Sequence, residues 1–554
     1  MQKYGELLRT ILEKRGITDP IQADVFFNPN YEHDFHDAFL MKDMERACVR
    51  IFQAIDTGEK IVIYADYDCD GIPGAVILAD LFKKINYKNY ETYIPQRNSE
   101  GYGLNLEAIK QFAESNVKLL ITIDLGITAV AEVAQAEVDG IDVIITDHHI
   151  PHEILPRAYA ILNPKTDNYP EKMLCGAGVV FKLVQGFIKK YGEYFKIKDG
   201  AEKWMLDMAG LATLSDMVPL LGENRAIAYF GMKVLRKSPR PGLQKLLAKM
   251  NIDQKYLTED DIGFMVTPRL NAASRMDNPM RAYEMLSTND EVEAGVLADH
   301  LSKINDERKN IVTGIMREVN KKLEKRKTNE FREVIVIGNS NWRVGILGLV
   351  AGKISDEHKR PVFVWGKDEN DCIRGSCRSN GSVSIVELMT ETHESFIDFG
   401  GHELAGGFTV HSDKIHFLEE ALSATFNRIK RDSSINLGKE NYDMKLILDD
   451  INMKNWREIE KLAPFGFGNS KPIFLFENVQ VKKIKKFGKN GSGEHLEIIF
   501  SDNDKKVKAI SFFSNHDSFK IPLTEEAQVN LLATFDLSRF RGREELRLRI
   551  VDII

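Results

Sequence analysis

The sequence has few of the features that mark a secreted or membrane-bound protein. Only five cysteines occur in 554 residues and none forms a C-x-x-C pair, so structural zinc and a disulfide framework are both unexpected. No stretch is long and apolar enough to span a bilayer. The opening residues, MQKYGELLRTILEKRG, predict an amphipathic helix with charges throughout rather than a signal peptide. We therefore expect a cytoplasmic protein that has no membrane partner.

The chain also lacks an overall excess of positive charge, because its net charge is −7. That balance argues against a protein that is basic over its whole surface. From Lys471 to Ile554, however, 15 Lys and Arg stand against 12 Asp and Glu. A modestly basic C-terminal part on an acidic body is compatible with nucleic-acid binding at one end, although charge runs are more often solvated faces.

Against these absences stands the stretch from Ile61 to Gly71, which reads IVIYADYDCDG. Its apolar, β-branched start predicts a buried strand of a parallel sheet. Asp66, Asp68 and Asp70 follow directly, and alternate residues of extended chain share a face. Three carboxylates this close repel one another unless cations lie among them, so the pattern indicates a divalent-metal site.

Two other interpretations fit the same stretch. The spacing D-x-D-x-D-G matches the first half of an EF-hand loop, but that loop needs a glutamate where Ile77 stands and a helix before it. A solvated acidic turn is the stronger alternative, because a short motif alone is only a hypothesis. The rest of the chain has to decide between these interpretations.

Two further apolar runs, 118–123 and 142–146, predict buried strands that also end in polar side chains. A largely apolar helix over 204–214 runs into another carboxylate. Imidazole together with several carboxylates suits Mn²⁺, or a Mg²⁺/Mn²⁺ pair, better than Ca²⁺. The candidate ligands that these segments add are Asp124, Asp147, His148, His149 and Asp216.

Glycine-rich and cationic segments predict contacts with phosphate. Arg97 lies in a loop with Gly101 and Gly103, and the run RGSCRS offers Ser376 and Arg378 as hydrogen-bond donors. His402 falls in FGGHELAGGF, which predicts a tight glycine turn whose amides approach an anion. A plain surface turn is an equal alternative for each segment.

A second glycine pattern, near Gly176 and Gly178, resembles part of a dinucleotide-binding fingerprint. The third glycine position is Phe181, however, and no strand is predicted before it. We therefore expect a close-packed helix start at this point.

The C-terminal part contains five strand-like runs, which is what an OB-fold barrel needs. Basic residues alternate with aromatic ones there, a pattern that favours single-strand binding through phosphates and bases; a solvated barrel face is the alternative. These residues are Lys482, Lys483, Lys485, Lys486, Phe487, Arg539, Phe540, Arg541 and Arg543.

The ordered motifs resemble the four core motifs of the DHH phosphoesterase superfamily. These motifs are Asp66 to Gly71, Asp124, Asp147-His148-His149 and Ser215-Asp216. Gly400-Gly401-His402 resembles the signature of the DHH-associated C-terminal domain. The whole arrangement, with Pro464 to Asn469 before a terminal barrel, is similar to RecJ-type single-stranded-DNA exonucleases. Several positions depart from the family pattern, namely Tyr64, Cys69, Pro73 with Gly74, and Arg343.

The resemblance implies a two-Mn²⁺ hydrolase, with Mg²⁺ as the alternative metal, that removes nucleotides from the 5′ end of single-stranded DNA in repair and recombination. A single-strand-binding protein or a helicase is then a candidate partner. The implied metal ligands are Asp68, Asp70, Asp124, His148 and Asp216, with Asp124 as the bridge. Asp66 and Asp147 take supporting roles, and His149 faces the substrate phosphate. The implied contacts to the strand and its 5′ phosphate are Arg97, Arg275, Ser376, Arg378 and His402.

The expected fold class is α/β: a DHH domain and a DHH-associated domain joined by a long helix, followed by an OB-fold barrel. The expected boundaries are 1–42 for a helical lead-in, 43–237 for the DHH domain, 238–330 for a helical connector, 331–440 for the associated domain, 441–470 for a linker and 471–554 for the barrel. Two alternatives remain: a DHH phosphodiesterase for short oligoribonucleotides or cyclic dinucleotides, and a non-catalytic single-strand binder. The barrel disfavours the first alternative, and the intact acidic and histidine set disfavours the second.

Overall fold

The computed structural model describes most of the chain and divides into two compact units. The described residues are 3–97, 99–326, 332–368, 370–430, 442–488, 495–502, 505–512, 514, 519, 521, 523–539 and 544–554. The larger unit comprises Asp37–Asp216 and Gly231–Asn436, and the smaller unit comprises Met1–His36, Met217–Phe230 and Leu437–Ile554. Within the described ranges, no helix combines the length and the apolar character needed to cross a bilayer. The predicted domain boundaries stay a prediction.

Helices and strands alternate through most of the chain. The helices are α1 (Glu6–Lys14), α2 (Pro20–Phe27), α3 (Met44–Thr57), α4 (Gly71–Lys84), α5 (Leu106–Glu114), α6 (Val130–Val138), α7 (Gly176–Tyr191), α8 (Leu206–Ser215), α9 (Gly222–Leu235), α10 (Pro241–Lys249), α11 (Glu259–Asp261), α12 (Thr267–Met276), α13 (Met280–Ser287), α14 (Glu291–Glu324), α15 (Leu347–His358), α16 (Ile385–Thr390), α17 (Leu418–Lys430) and α18 (Met453–Glu460). The strands are β1 (Lys60–Ala65), β2 (Tyr90–Tyr93), β3 (Val117–Ile123), β4 (Asp142–Thr146), β5 (Ala160–Leu162), β6 (Ile335–Gly338), β7 (Val362–Lys367), β8 (Ile373–Arg378), β9 (Phe396–His402), β10 (Ala405–Val410), β11 (Met444–Lys445), β12 (Phe474–Phe487), β13 (His495–Asp502), β14 (Lys505–Phe512), β15 (Gln528–Ser538) and β16 (Glu545–Ile553).

The first sheet of the larger unit is parallel throughout, with the strand order β2-β1-β3-β4-β5. The three predicted strands at 61–64, 118–123 and 142–146 are β1, β3 and β4 of this sheet, which confirms them. The order of the strands reverses between β1 and β3, and open α/β sheets bind ligands at such a reversal, outside the carboxyl ends of the strands. The fold therefore brings the ends of β1, β3 and β4 to one crevice.

Both faces of this sheet are covered, which explains why its strands are apolar at successive positions. Val62 and Tyr64 pack with residues of α5 and α6 in one buried cluster. Ile61 and Ile63 point the other way and are also fully buried. Each such aliphatic side chain contributes about 1.5–3 kcal/mol by leaving water, so the sheet is a rigid support for the polar residues at its edge.

A helical region follows the first sheet. The long helix α14 begins after Asp290, whose carboxylate accepts hydrogen bonds from the backbone amides of Val292 and Glu293. This helix confirms the long helix predicted between the DHH domain and the DHH-associated domain. Helices α10, α12 and α13 pack against α14, and α12 continues a π-helical stretch at Ile262–Val266.

The second sheet of the larger unit is mixed, in the order β6-β7-β8-β10-β9. Strands β6 and β7 are parallel, and the other pairs are antiparallel. The predicted glycine turn at His402 is wrong in position, because Gly400 and Gly401 lie within β9 and His402 is the last residue of that strand, paired with Ala405. Consecutive glycines carry no side chain to show the two-residue period of a strand, so the sequence favoured a turn.

The smaller unit is built around a closed barrel. Strands β12, β13, β14, β16 and β15 follow one another, and pairing of β15 with β12 closes the ring, which confirms the predicted OB fold. Phe474, Phe476 and Phe500 fill its core, and Leu8 and Ile11 of α1 belong to the same buried cluster. The predicted strand-contacting residues Phe540, Arg541 and Arg543 lie outside the described residues.

Candidate metal centre and anion site

The acidic turn after β1 is held by its own backbone. Asp68 accepts hydrogen bonds from the amides of Asp70 (2.7 Å) and Gly71 (3.3 Å). A Cβ at position 71 would overlap the carbonyl oxygen of Asp66, so only glycine permits this turn. Asp66 is buried, and its Oδ1 has no hydrogen-bond partner among the described residues. The turn is thus a folded, inward-facing structure rather than the solvated acidic turn that was the main alternative.

Asp70 faces the start of α7. Its carboxylate accepts hydrogen bonds from the amides of Gly176 (2.6 Å) and Ala177 (2.7 Å), where the helix dipole favours a negative charge. Burial and the neighbouring charge of Asp68 nevertheless raise the pKa of Asp70 to about 7. A helix that begins at Gly176 confirms the predicted helix start.

Asp124 follows β3 in the left-handed region of backbone space, with φ near 61°. Few residues other than glycine adopt this conformation, and strain of this kind collects at functional sites. Its Oδ1 lies 3.1 Å from Nε2 of His148 but makes no hydrogen bond. These two atoms are therefore close enough to be adjacent ligands of one cation.

The residues after β4 divide into two roles. Oδ1 of Asp147 lies 2.8 Å from Nδ1 of His149, and Oδ2 of Asp147 accepts a hydrogen bond from the amide of Ile127 (2.9 Å). Burial alone would raise the pKa of Asp147, but the hydrogen bond from His149 lowers it. Burial alone would lower the pKa of His149, but its pairing with Asp147 raises it. Burial and the charge of His149 instead lower the pKa of His148 to about 3. His148 is therefore neutral, as a metal ligand must be.

Asp216 completes the ring of acidic groups from the end of α8. Its Oδ2 lies 3.8 Å from Nε2 of His148, which is also 3.7 Å from Oδ2 of Asp70. Burial, followed by the charges of Asp70 and Asp68, raises the pKa of Asp216 to about 9. Among the described residues, no lysine or arginine forms an ion pair with Asp70 or Asp216, so like charges gather here.

The described residues contain three sets of ligand atoms that lie within 4.8 Å of one another. The sets are Asp66 with Asp68 and Asp124, Asp70 with His148 and Asp216, and Asp124 with His148 and His149. Oxygen ligands with one or two imidazoles suit Mn²⁺ or Mg²⁺. The unpartnered oxygens of Asp66 and Asp124 fit the same conclusion, because a buried carboxylate oxygen without a partner is costly. The donor set fits divalent cations.

The acidic ring predicts how stability depends on pH in the absence of metal. The carboxyls of Asp70 and Asp216 have pKa values of about 7 and about 9 in the folded protein, against about 3.9 in an unfolded chain. Between these values the folded state binds protons that the unfolded state does not, so stability falls as the pH rises. Cation binding needs the deprotonated form. The difference in Tm between manganese-loaded and chelated protein should therefore increase from about pH 5.5 to about pH 8.5. In Asp216→Asn this difference should increase less over the same pH range than in the unaltered protein. A pH-independent gap would contradict this assignment.

A group of arginines faces the acidic ring across a cavity of about 230 Å³. Arg97 lies over the ring of Tyr67, with its Cζ 5.0 Å from the centroid. Arg275 donates to the carbonyl oxygen of Gly345 (3.0 Å). Burial and the nearby charges of Arg97, Arg308 and Arg378 lower the pKa of Arg275 to about 9. The cavity is lined by Asp66, Tyr67, Asp68, Arg97, Tyr102, Asp124, His148, His149, Asp216, Asn271, Ser274 and Arg275.

The second sheet brings its predicted residues to the same region. Ser376 and Arg378 alternate along β8 and both adjoin Gly348, where a Cβ would lie 2.9 Å from Nη2 of Arg378 and 3.4 Å from Oγ of Ser376. The imidazole of His402 is nearly parallel to that of His149, with a centroid separation of 6.1 Å. The structure thus gathers all the candidate site residues around one cavity and its rim.

Tyr102 belongs to this site although the sequence did not single it out. Its hydroxyl donates to the carbonyl oxygen of Asp124 (3.1 Å) and lies 3.3 Å from Nδ1 of His149. Gly101 and Gly103 on either side have positive φ values. This pair of glycines was the feature of the sequence that could have pointed to Tyr102. Tyr64, a departure from the family pattern, is fully buried and donates to the carbonyl oxygen of Gly103 (3.0 Å). It supports the loop rather than the metals.

Three family models match consecutive parts of the chain. They are the DHH family, N-terminal domain, over residues 60–213, the DHHA1 domain over 331–429 and the RecJ OB domain over 442–552. Together with the carboxylate–imidazole centre, these matches define a metal-dependent phosphoesterase of the DHH class.

Relatives narrow the class further. The single-stranded-DNA-specific exonuclease RecJ of Bacillus subtilis is 32% identical over 99% of this chain and 67% of its own length. This chain belongs to the RecJ family of single-stranded-DNA-specific exonucleases. Crystal structures of RecJ from Thermus thermophilus in complex with Mn²⁺ and Mg²⁺ share the fold. The alignment with the Mn²⁺ complex has a TM-score of 0.81 and 24% sequence identity, and it covers 100% of this chain and 76% of the other chain. The alignment with the Mg²⁺ complex has a TM-score of 0.75 and 22% sequence identity, and it covers 100% of this chain and 75% of the other chain.

Proposed function

We propose that the chain removes nucleotides from the 5′ end of single-stranded DNA at a centre that holds two divalent cations. Its family membership confirms the predicted class of enzyme, a metal-dependent exonuclease for single-stranded DNA that is consistent with DNA repair and recombination. One observation carries the finer proposal: an acidic ring and a group of arginines face each other across one cavity. Metals and a phosphodiester strand need that pairing of charges.

The proposed ligands form two groups, and Asp124 of the first group lies 3.1 Å from His148 of the second. Asp66, Asp68 and Asp124 would hold one cation, and Asp70, His148 and Asp216 would hold the other. This grouping gives Asp66 a more direct role than the resemblance implied. When bound, such cations lower the pKa of a water and offset the charge that develops on the phosphate. Mn²⁺ is the proposed metal, with Mg²⁺ as the alternative.

His149 is proposed to contact the scissile phosphate. Oδ1 of Asp147 lies 2.8 Å from Nδ1 of His149 and favours the protonated form of the His149 ring. Asp147 is itself fixed by the amides of Ile127, His148 and His149. A positioned cationic donor stabilises charge that builds up on a phosphate oxygen without moving during the reaction. His402, beside His149, is proposed to contact the same phosphate.

The arginines are proposed to hold the 5′ phosphate. Burial and the nearby charges of Arg97, Arg308 and Arg378 lower the pKa of Arg275. Their mutual repulsion falls when an anion lies among them, and guanidinium groups bind phosphate through paired hydrogen bonds. Ser376 adds a hydroxyl donor beside Arg378. A strand with its first phosphate here would place a later phosphate at the acidic ring.

The barrel is proposed to hold the rest of the strand. Phe487, His495 and Phe512 stand opposite one another on β12, β13 and β14, with centroid separations of 5.2 and 5.4 Å. Lys485, two residues before Phe487, is exposed. Rings stack on bases and lysines attract phosphates, so this face suits single-stranded DNA.

Cytoplasmic localisation is proposed because all five cysteines are free, as expected in a reducing compartment. A single-strand-binding protein or a helicase, which would hold or produce single-stranded ends, is the proposed protein partner. The division into the six segments predicted from the sequence is proposed as the domain organisation.

An end-labelled degradation assay tests the proposed function. With Mn²⁺, a 5′-phosphorylated single strand should be shortened from its 5′ end to mononucleotides, and the duplex of the same sequence should remain intact. A chelator should abolish release. A dinucleotide offered alone distinguishes the main alternative, because an enzyme that cleaves the dinucleotide but leaves the long strand untouched would be a small-substrate phosphodiesterase.

A further inference from the structure

A second cavity lies at the outer edge of the first sheet of the larger unit. Its volume is about 500 Å³, within the range of about 300–1,000 Å³ that small-molecule sites occupy. It is formed by the end of α4 with the segment that follows it, by β2 and by α13, and among the described residues it shares none with the cavity of the metal centre. We call it the β2-edge pocket, and its chemistry comes from Lys83, Asn86, Tyr87, Lys88, Tyr90 and Tyr283.

Direct contacts hold the walls of this pocket together. The hydroxyl of Thr92 on β2 donates to the hydroxyl oxygen of Tyr283 on α13 (3.0 Å). Nζ of Lys83, in the last turn of α4, donates to the carbonyl oxygen of Ser287 at the end of α13 (2.8 Å). Helix α13 also packs against α4. The β2-edge pocket is therefore a preformed cavity between packed elements, and exposed Lys88 lies at its mouth.

Three tyrosines supply flat apolar surface to the pocket. Tyr87 and Tyr283 are each 9% exposed, and Tyr90 is half-buried. The hydroxyl of Tyr87 donates to the carbonyl oxygen of Glu59. The hydroxyl of Tyr283 accepts from Thr92. Because both hydroxyls are already hydrogen-bonded, these tyrosines offer a ligand mainly their rings, and rings in fixed positions favour a planar ligand that packs against them.

The charge of the pocket favours an anionic group. Lys88 is exposed and, within the described part of the chain, forms no ion pair. Nζ of Lys83 lies 4.0 Å from Oδ1 of Asp80, which is beyond hydrogen-bond distance. Glu91, the one carboxylate among the described lining residues, is paired with Lys60 (2.9 Å). An ammonium group is therefore left without a counterion beside the rings.

Asn86 adds a side-chain amide to the same pocket. Its backbone is left-handed, with φ 58°, and within the described residues its side chain makes no hydrogen bond. An amide presents a donor and an acceptor side by side, which is the arrangement that pairs with the edge of a nucleobase. The rings, the amide and the ammonium group thus match the base faces, the base edge and the phosphate of a nucleotide.

We propose that the β2-edge pocket binds a nucleotide, as a free mononucleotide or as part of a DNA strand. An acidic peptide with an aromatic side chain would use the rings and the ammonium group, but its ring lacks the paired donor and acceptor of a base edge. The bound nucleotide is not the one at the metal centre. Helix α4 has 14 residues, from Gly71 in the acidic turn to Lys84, so its two ends are about 20 Å apart. The β2-edge pocket is therefore a separate site that needs no metal.

Photo-crosslinking locates the bound nucleotide directly. The full chain, kept in chelator to prevent cleavage, is irradiated with 8-azido-2′-deoxyadenosine 5′-monophosphate, and the labelled peptides are identified by mass spectrometry. We expect label on the peptides that contain Tyr90 or Tyr283, separate from label on the Tyr102 peptide at the metal centre. Excess dAMP should suppress the label at the β2-edge pocket. Suppression by dAMP alone identifies a free mononucleotide as the ligand, and stronger suppression by an octanucleotide identifies a nucleotide of the strand.

Variants at two exposed positions test the parts of the nucleotide one at a time, with binding measured as the concentration of each compound that halves the label. Lys88→Glu should weaken dAMP binding by at least about tenfold and leave binding of 2′-deoxyadenosine, which has no phosphate, unchanged. Asn86→Gly keeps the left-handed backbone and should weaken dAMP binding about tenfold, but it should leave binding of 2-deoxyribose 5-phosphate unchanged. Lys84→Glu, at an exposed cation of α4 that does not line the pocket, is the matched control and should bind all three compounds normally.

Three outcomes would overturn the proposal. Label confined to the metal centre, with no labelled peptide that contains Tyr90 or Tyr283, would mean that the pocket binds no nucleotide. Equal losses of dAMP binding for Lys84→Glu and Lys88→Glu would mean that the surface attracts anions without a site. Displacement of the probe by an acidic aromatic peptide, with no displacement by dAMP, would assign the pocket to a protein partner. None of these outcomes depends on nucleotide release with Mn²⁺, so the proposed function is tested separately.

Discussion

Replacing Asp124 by asparagine is expected to lower kcat/KM for single-stranded DNA by about 10³-fold or more while the fold remains intact. The carboxylate of Asp124 belongs to the set proposed to hold one cation, and its Oδ1 lies 3.1 Å from Nε2 of His148, a proposed ligand of the other cation. Asparagine has the same shape and tolerates the left-handed backbone that Asp124 adopts at φ near 61°. The substitution therefore tests the charge rather than the conformation. Rates of nucleotide release with saturating Mn²⁺ measure the effect.

The same substitution should raise the stability of the metal-free protein. Burial and the charges of Asp70, Asp68 and other acidic neighbours raise the pKa of Asp124 well above its ordinary value, and a neutral amide removes that repulsion. Thermal unfolding in chelator should show a higher Tm for Asp124→Asn, whereas added Mn²⁺ should stabilise it less than the unaltered protein. Asp56→Asn, on the exposed face of α3, should change neither property. Full manganese-dependent turnover by Asp124→Asn would remove Asp124 from the centre.

The sequence predicted those parts of the site that lie at strand ends. Apolar runs identified β1, β3 and β4, and a parallel sheet necessarily brings their carboxyl ends to one edge. Asp66, Asp124 and His148 could therefore be grouped before their distances were known. Their chain positions are far apart, but backbone pairing fixes their relative places almost independently of the side chains between them.

Residues on loops and helix faces could not be predicted in this way. Tyr102 reaches Asp124 only because Gly101 and Gly103 turn the loop back over the sheet. Asn271 and Ser274 of α12 line the cavity, and the sequence did not show which residues of that helix would face it. Such positions depend on tertiary packing, which a local pattern does not contain. The turn predicted at His402 was misplaced for a related reason, since the neighbouring glycines concealed the two-residue period of β9.

Glycine also explains the second large prediction, which concerns Gly176 at the start of α7. A Cβ there would lie 2.6 Å from Cβ of Asp124 and 2.8 Å from its Oδ1, closer than real side chains approach. The amide of Gly176 also donates to Asp70. Gly176→Ala must therefore displace two proposed ligand residues at once. We expect a loss of about 1–3 kcal/mol in the free energy of unfolding and about 10²-fold in kcat/KM, measured by denaturant unfolding and by nucleotide release.

Gly178→Ala is the matched control because it adds the same methyl group two residues further along the same helix. Its nearest neighbours would be Sγ of Cys175 and Cβ of Leu174, both at 3.6 Å, which is ordinary contact. Alanine is also the better helix former, by about 0.5–1 kcal/mol. Gly178→Ala should thus be neutral or stabilising and fully active, so the two variants should differ in the sign of their stability change. Equal effects would mean that α7 tolerates bulk at both positions, and that the close approach of Gly176 to Asp124 does not position the metal centre.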